Sequence, residues 1–313
     1  MVYHGRSEVV EYAGDCPLID TVRNRVHMKM VMRIFFLIFG LLGFWGIPSF
    51  SEASEKPLTL MILPVESPAT MYESFLPLTR YIEKAVGRRV RLVVAKSGAA
   101  AVKDLKGHKV DMAYICSVFY VLAHDTYRYV PLVKAIENGS GAERGAIVVR
   151  NDSDIRTVRD LRGRTLALGS RYCASSNLLP RLTIREAGLK EEDLFTIDVM
   201  GHNKRAILSV MNGFHDAAGL TESFASPYLK MGLRYVALSE PVPNFVFAVK
   251  ENMNGKLKDR LRQILTALSK DREGKAILKS LGPAFNGFEL ARDEEYAPVR
   301  KLVGKVGINW KEE

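Results

Sequence analysis

The sequence predicts an α/β protein, and two observations carry that prediction. Short apolar runs of the length of a buried strand recur from residue 58 onward. Between them lie longer segments in which apolar residues recur three and four positions apart, the spacing of a helix with one buried face. Because strands joined through helices run parallel, we expect parallel sheets with helices on both faces.

The predicted elements follow one another in a regular order. The clearest is a helix over Pro68–Val86, in which Met71, Phe75 and Leu78 form one apolar stripe and which Gly87 ends. Strands are predicted over 58–63, 90–95, 111–115, 146–150, 166–168, 195–199, 216–220, 235–238 and 245–249. Further helices are predicted over 99–106, 175–187, 203–212, 222–231, 256–269, 271–281 and 293–303. Ligands of such folds bind beyond the carboxyl ends of strands, so the strand-to-helix junctions are where we look for a site.

The charge balance argues against a nucleic-acid partner. The 313-residue chain has ordinary globular composition, with 47% hydrophobic and 26% charged residues, and a formal net charge of +10. Charges cancel within 1–53, so the whole excess lies in 54–313. Basic residues there are scattered and mixed with acidic ones, as in 256–262, whereas a nucleic-acid surface clusters them. An anionic ligand or an anionic surface remains open.

Residues 1–53 are predicted to be an N-terminal extension and a secretory signal peptide. Lys29 and Arg33 precede a run of 14 apolar or glycine residues over 34–47, and small residues then suit cleavage after Ala53. The alternative is a membrane anchor. However, a helix of 14 residues spans only about 21 Å, less than the ~30 Å of a bilayer core.

The stretch before this signal is unusual, because residues 1–27 mix acidic and basic side chains. Either the true start is Met28 or Met30, or the protein has a long n-region. No cysteine directly follows the apolar run, so we expect no lipid anchor there.

The three cysteines do not form a metal-site pattern. Cys16 lies in the predicted signal region, whereas Cys116 and Cys173 lie near strand ends. Neither a C-x-x-C motif nor a Cys/His ligand spacing occurs, so we expect no metal and no cofactor. Cys116 and Cys173 could form a disulfide, although cysteines at such positions are more often buried free thiols.

The most informative junction is 169–177, where a predicted strand is followed by a helix. Its small residues, among them Ala174, Ser175 and Ser176, would let a ligand approach the free N–H groups of a helix start. The serine hydroxyls add donors, and the helix dipole favours a phosphate-like anion. Taken alone, an ordinary N-cap by one of the serines explains the stretch more simply.

Other junctions are ambiguous in the same way. His202 could donate to an anion, but a surface or capping histidine is the simpler interpretation, and Thr221 is open to both. Helix capping is sufficient to explain Ser67, and Ser97 is ambiguous in the same way as Thr221. Cys173 with His202 as its base could form a nucleophilic pair, yet no G-x-S-x-G, H-E-x-x-H or phosphate-loop sequence accompanies them. We therefore expect a binding protein rather than an enzyme.

A series of short landmarks runs through the chain from 63 to 243. They are Leu63-Pro64, Pro77-Leu78, Gly107-His108-Lys109-Val110-Asp111-Met112-Ala113, Tyr120-Val121-Leu122-Ala123, Asp160-Leu161-Arg162-Gly163-Arg164, Leu178-Leu179-Pro180, Gly201-His202, Asn212-Gly213 with Asp216-Ala217-Ala218, and Ser239-Glu240-Pro241-Val242-Pro243. Each is weak alone, but their order and spacing together resemble the substrate-binding proteins of phosphate, phosphite and phosphonate ABC transporters.

This resemblance implies a two-lobed type II periplasmic binding protein fold with a ligand cleft between the lobes. Lobe one would comprise 57–148 and 246–313, and lobe two would comprise 149–245. Two chain crossings, near Val148 and near Phe245, would form the hinge.

The resemblance also implies a set of ligand-binding residues. They are Cys173, Ala174, Ser175, Ser176, His202, Ser117, Tyr120, Thr221 and Glu143. The family's Ser-Thr-Ser-Gly cradle loses two hydroxyls here, at Cys173 and Ala174, while His202 is kept. Glu143 begins the triplet that replaces a Tyr-x-Ser of the family, and Phe245 replaces a carboxylate that can hold a ligand amine. Recognition of an aminoalkylphosphonate therefore does not follow.

The function that the resemblance implies is capture of a small oxyanion in the periplasm for uptake by an ABC transporter. The ligand would be of phosphonate, phosphite or phosphate type, and the protein partner would be the transporter permease. We expect a monomer that uses no cofactor. The alternatives are a ligand-sensing protein that partners a membrane signalling receptor and an enzyme on the same fold.

Overall fold

A computed structural model describes residues 55–306, so the predicted signal peptide and its cleavage point lie outside the described residues. In this part of the chain the strands are β1 (Leu58–Ile62), β2 (Val90–Val94), β3 (Met112–Ile115), β4 (Tyr129–Glu137), β5 (Ala142–Glu143), β6 (Gly145–Arg150), β7 (Thr165–Leu168), β8 (Thr196–Val199), β9 (Ala217–Thr221), β10 (Leu233–Leu238), β11 (Val242–Pro243), β12 (Val246–Lys250) and β13 (Phe285–Leu290). The α-helices are α1 (Pro68–Val86), α2 (Gly98–Lys106), α3 (Ser117–Tyr127), α4 (Leu179–Glu186), α5 (Asn203–Met211), α6 (Glu222–Ala225), α7 (Gly255–Ala267), α8 (Arg272–Leu281) and α9 (Ala297–Val306). A π-helical turn covers Ala174–Leu178, and 3₁₀ turns cover Val158–Leu161, Glu191–Asp193, Ser226–Met231 and Asp293–Tyr296. None of the helices within 55–306 is long and apolar enough to span a membrane.

Six strands form the larger sheet, in the order β13-β4-β12-β3-β1-β2. β1 lies parallel to β2 and β3, as the alternation of strands and helices predicts. β12 runs antiparallel to both β3 and β4, and β13 runs antiparallel to β4, so the expectation of wholly parallel sheets is wrong here. β12 enters the sheet directly after β11, without the helical crossover that a parallel neighbour requires.

Five strands form the smaller sheet, in the order β10-β6-β9-β7-β8. β7 is parallel to β8 and β9, whereas β6 is antiparallel to β9 and β10. β6 pairs within this sheet from Gly145 onward, where Gly145 lies opposite Thr221. The lobe division predicted at residue 148 therefore falls inside a strand, and the first chain crossing precedes Gly145.

The two segments that connect the sheets pair with each other. β5 and β11 form a two-stranded antiparallel ribbon, in which Glu143 lies opposite Val242 and Ala142 lies opposite Pro243. Asn244 is only 3% exposed, and its Nδ2 donates to the carbonyl oxygens of Ala135 at 3.2 Å and Ser140 at 3.0 Å. Glu143 therefore lies on a two-stranded ribbon between the two sheets, and the hydrogen bonds of Asn244 fix this ribbon in place.

A buried apolar layer continues from the larger sheet to the start of the π-helical turn. The rings of Phe119 and Tyr172 meet edge to face, with centroids 5.4 Å apart. Cys116 Sγ lies 3.4 Å from the carbonyl oxygen of Tyr172. At the C-terminal end, Arg185 of α4 donates to the carbonyl oxygen of Lys305 in α9 at 2.9 Å. The segment that carries the candidate site therefore contacts Cys116 and Phe119 through Tyr172, and the helix that follows it contacts α9.

Candidate ligand-binding site

The helix that follows β7 begins with a π-helical turn. The N–H of Leu178 donates to the carbonyl oxygen of Cys173 at 3.3 Å, and α4 continues directly from Leu179. An ordinary α-turn would need an N–H at Pro180 to reach the carbonyl of Ser176, and proline has none. The N–H of Gly169 donates to that carbonyl instead, at 3.0 Å. Wider turns of this kind occur often at functional sites.

Two glycines allow this helix start to lie against the sheet. A Cβ added at Gly169 would lie 2.6 Å from the Cβ of Ser176. A Cβ added at Gly145 would lie 2.7 Å from the carbonyl oxygen of Ser175 and 2.8 Å from the Cβ of Leu179. Real side chains do not tolerate such distances, so glycine at both positions fixes how closely the turn packs on β6 and on the end of β7.

Hydroxyl and thiol groups gather at this helix start. The side-chain oxygens of Ser175 and Thr221 lie 2.7 Å apart, and the Sγ of Cys173 lies 3.3 Å from the Oγ of Ser175. The Nδ2 of Asn203 donates to the Oγ1 of Thr221 at 3.4 Å. Ser175 is fully buried and Ser176 is 1% exposed. The ends of β7, β8 and β9 thus bring their polar side chains to one place.

Several enclosed polar atoms have no hydrogen-bond partner among residues 55–306. They include Ser117 Oγ at the start of α3, Glu143 Oε1 on the connecting ribbon and Asn203 Oδ1 at the start of α5. A buried polar group left without a partner costs about 1–3 kcal/mol. Such groups are rare in folded proteins, and each therefore indicates a place where a further partner can bind.

Two acidic groups in this region are held in their protonated form by their surroundings. Glu143 is half-buried as a residue, but its Oε1 is enclosed, and this burial raises the pKa of its carboxyl to about 8. The negative charge of Glu137 raises the pKa further, while the nearby Ser175 hydroxyl acts in the opposite direction. Burial and the charge of Glu143 also raise the pKa of the Cys173 thiol, against hydrogen bonds from Ser175 and Ser176. A neutral thiol is a poor nucleophile, so this arrangement does not suit catalysis by Cys173.

Of the residues expected from the sequence, the structure joins Cys173, Ser175 and Thr221 by direct side-chain contacts. The Tyr120 hydroxyl donates to Asp293 Oδ1 at 2.6 Å, and its ring packs on Tyr296 with centroids 4.2 Å apart. His202 precedes α5 with its side chain exposed. Asn203, the next residue, donates to Thr221 and is not among the ligand-binding residues expected from the sequence. The sequence signal for Asn203 was its position at the same strand-to-helix junction.

Two serines at other helix starts act as ordinary caps, as their sequence context indicates. Ser67 Oγ accepts from the N–H of Thr70 at 3.2 Å, and Ser97 Oγ accepts from the N–H of Ala100 at 3.1 Å. Both hydroxyls therefore satisfy backbone groups of α1 and α2.

A second polar arrangement, outside the cluster, has the residue types of a catalytic triad. His215 bonds through Nδ1 to Ser209 Oγ and through Nε2 to Asp198 Oδ2, the latter at 2.9 Å. Ser209 is only 6% exposed, and its carbonyl oxygen accepts from the N–H groups of Phe214 and His215. These bonds fasten the chain after α5, and the buried hydroxyl is not presented to a substrate. Within 55–306 no group of three or more His, Cys, Asp or Glu side chains is arranged to hold a metal ion.

Comparison with known proteins shows the family to which the sequence is similar. The family described as the periplasmic substrate-binding protein of phosphonate ABC transporters matches residues 60–296. The phosphonates-binding periplasmic protein of Escherichia coli K12 is 23% identical over 266 residues, covering 82% of this chain and 78% of that one. The phosphate-import protein PhnD of Mycolicibacterium smegmatis is 25% identical over 231 residues, covering 68% and 72%.

Solved structures give the same fold. PhnD1 of Prochlorococcus marinus, solved in complex with methylphosphonate, superposes with a TM-score of 0.70 at 16% identity, covering 80% of this chain and 98% of that one. At this level of identity the likeness concerns the fold, which is that of the type II periplasmic binding proteins. The chain therefore belongs to the family of periplasmic substrate-binding proteins of phosphonate ABC transporters.

Proposed function

We propose that this protein binds a small phosphorus oxyanion between two lobes and delivers it to the permease of an ABC transporter. The observation that carries the proposal is the cluster of buried hydroxyls and unpaired polar atoms where several strands end and helices begin. Helix starts offer N–H groups and a positive dipole end to an anion. The lobes would be those expected from the sequence, 57–148 with 246–313 and 149–245, with the first boundary moved to the start of β6 at Gly145 and the β5–β11 ribbon as the hinge between them.

The ligand would be held mainly by the backbone N–H groups of 174–176, the Ser175 and Thr221 hydroxyls, and the Asn203 amide. Micromolar affinity requires about 8 kcal/mol. A charge-assisted hydrogen bond contributes about 1.5–3 kcal/mol net, so three or four such bonds are sufficient. Ser117, at the start of α3, offers an additional hydroxyl that has no other partner within the described residues.

Composition of the cluster favours a compact ligand. Cys173 and Ala174 lack the hydroxyls that the family usually has at these positions, so fewer ligand oxygens can be bound there. Phe245 packs against Tyr114, with ring centroids 5.3 Å apart, where a carboxylate would be needed to hold an amine. These features support methylphosphonate, phosphite or phosphate over an aminoalkylphosphonate.

Export and delivery complete the proposal. The protein would be made with the signal segment, cleaved after Ala53, and act as a monomer in the periplasm without a cofactor. Membership of a transporter family supports a permease as recipient, rather than the signalling receptor of the alternative hypothesis, and supports binding without turnover.

A panel of ligands tests the proposal. Thermal denaturation of the secreted protein would be followed with phosphate, phosphite, methylphosphonate, 2-aminoethylphosphonate and sulfate. A ligand at 100 times its dissociation constant raises the free energy of unfolding by about 2.7 kcal/mol, which gives a clear shift. We expect the shift with at least one phosphorus oxyanion and loss of most of it in Ser175→Ala. Absence of a shift with every phosphorus oxyanion would contradict the proposal.

A further inference from the structure

Glu143 occupies an unusual place for an acidic residue. It lies on the connecting ribbon, near the Ser175 hydroxyl of the helix start, and its Oε1 is enclosed without a hydrogen-bond partner among residues 55–306. A site for an anion is expected to exclude a carboxylate, because two like charges at short range repel. The role of Glu143 therefore depends on its protonation state.

No positive side chain within 55–306 forms an ion pair with Glu143 to hold it ionised. The titratable groups that interact electrostatically with its carboxyl are Glu137 from β4, Tyr114 from β3, and the thiols of Cys116 and Cys173. Each of these is acidic or neutral. The basic residue on the neighbouring strand β4, Lys134, already pairs with Glu295 at 3.0 Å and with Glu289 at 3.3 Å.

We propose that Glu143, in its acid form, donates a hydrogen bond to an oxygen of the bound anion and so makes binding depend on a proton held by the protein. This inference rests on the proposed function and names a specificity-determining residue for it. A protonated carboxyl offers one O–H donor and no charge. When the proton is lost, the same group is a buried anion facing the ligand, and binding weakens.

Position decides between an oxyanion oxygen and a ligand amine as the partner of Glu143. Glu143 lies near Ser175, which is itself 2.7 Å from Thr221 at the helix start. The carboxyl thus lies at the end of the cluster that receives the anion's oxygens, whereas an amine would be separated from those oxygens by its alkyl chain. Capture of an amine is therefore the competing outcome of the test.

The pH dependence follows from the raised pKa of Glu143, about 8. Below that pH the carboxyl keeps its proton and binds. Above it, the fraction that keeps the proton falls about tenfold per pH unit, and affinity falls with it. Replacing Glu143 by glutamine keeps an N–H donor that does not titrate. The ligand's own titration is the same for both proteins, so it cancels when they are compared.

The test is calorimetric titration of methylphosphonate into wild type, Glu143→Gln and Glu137→Gln at pH 7, 8 and 9.5. We expect wild type to lose at least tenfold more affinity than Glu143→Gln between pH 7 and pH 9.5. Glu137→Gln removes a charge that raises the pKa of Glu143, so its loss of affinity should begin at a lower pH.

Equal pH dependence in wild type and Glu143→Gln, with both proteins binding, would overturn this inference and leave the proposed function standing. Tighter binding of 2-aminoethylphosphonate than of methylphosphonate, abolished in Glu143→Gln, would overturn it in favour of amine capture. Absence of binding of methylphosphonate, phosphite and phosphate alike by wild type at pH 7 would contradict the proposed function and this inference with it.

Discussion

The side-chain oxygens of Ser175 and Thr221 lie 2.7 Å apart and join the start of one helix to the end of a neighbouring strand, β9. Both residues are buried, with Ser175 fully enclosed and Thr221 9% exposed. When two hydroxyls share one hydrogen bond, the proton of the accepting hydroxyl stays free and can donate to an anion. This pair therefore forms the centre of the proposed site.

Replacing Ser175 by alanine should weaken binding of the phosphorus oxyanion about tenfold, since loss of one such hydrogen bond costs about 1.4 kcal/mol or more. Isothermal calorimetry measures the change. Ser97→Ala is the matched control, because Ser97 Oγ accepts from the N–H of Ala100 as the cap of α2. Equal affinities for Ser175→Ala and wild type would place the ligand elsewhere.

Gly169→Ala should push the helix start away from the sheet, because the new Cβ would lie 2.6 Å from the Cβ of Ser176. We expect a loss of about 1–3 kcal/mol in the free energy of unfolding and a loss of ligand affinity. Gly255→Ala is the control, since a Cβ there meets nothing within 4 Å. Urea denaturation measures the free energy of unfolding of the two variants, without ligand and with it. A Gly169→Ala protein as stable as the control would show that the turn can move without cost.

Asn203→Ala should reduce ligand affinity more than His202→Ala does. Asn203 donates to Thr221 and has an enclosed unpaired Oδ1, whereas the His202 side chain is exposed. Loss of one polar contact corresponds to an about tenfold change for Asn203→Ala. Calorimetry on the two variants compares them directly. A larger effect of His202→Ala would favour the prediction made from the sequence.

The free energy of unfolding should depend on pH through Glu143, even without ligand. Burial raises the pKa of this carboxyl from 4.5 to about 8 in the folded protein. The folded state therefore keeps a proton that the unfolded state releases, and stability falls as the pH rises through that interval. In Glu143→Gln this contribution is absent, so the variant should gain on wild type between pH 5 and pH 9. The measurement is the free energy of unfolding, obtained by urea denaturation at each pH. The same change with pH in both proteins across that range would contradict the raised pKa of Glu143.

Amphipathic elements could be predicted from the sequence because their apolar residues repeat at a fixed spacing. α1 has the predicted bounds, Pro68–Val86, and its stripe residues Met71, Phe75 and Leu78 are buried. α3 was not predicted, because the residues 117–121 are all buried and no polar face alternates with an apolar one. β4 was missed for a related reason, since Pro131 and Lys134 interrupt its apolar run.

The helix start of the candidate site could be predicted from its small residues, but its details could not. The carbonyl of Ser176, which Pro180 leaves without its helical donor, accepts from the N–H of Gly169 at the end of β7, and this contact between the strand end and the turn is tertiary. Likewise, the choice between His202 and Asn203 depends on which side chain faces Thr221. These features depend on tertiary packing, so they cannot be predicted from the local spacing of residues.

The most direct test of the proposed function is a calorimetric titration of methylphosphonate, phosphite and phosphate into the secreted protein at pH 7. We expect saturable 1:1 binding of at least one of them with micromolar affinity or better, equivalent to about 8 kcal/mol or more. We also expect an about tenfold weaker isotherm for Ser175→Ala with the same ligand. No saturable binding of any of the three anions would contradict the proposed function.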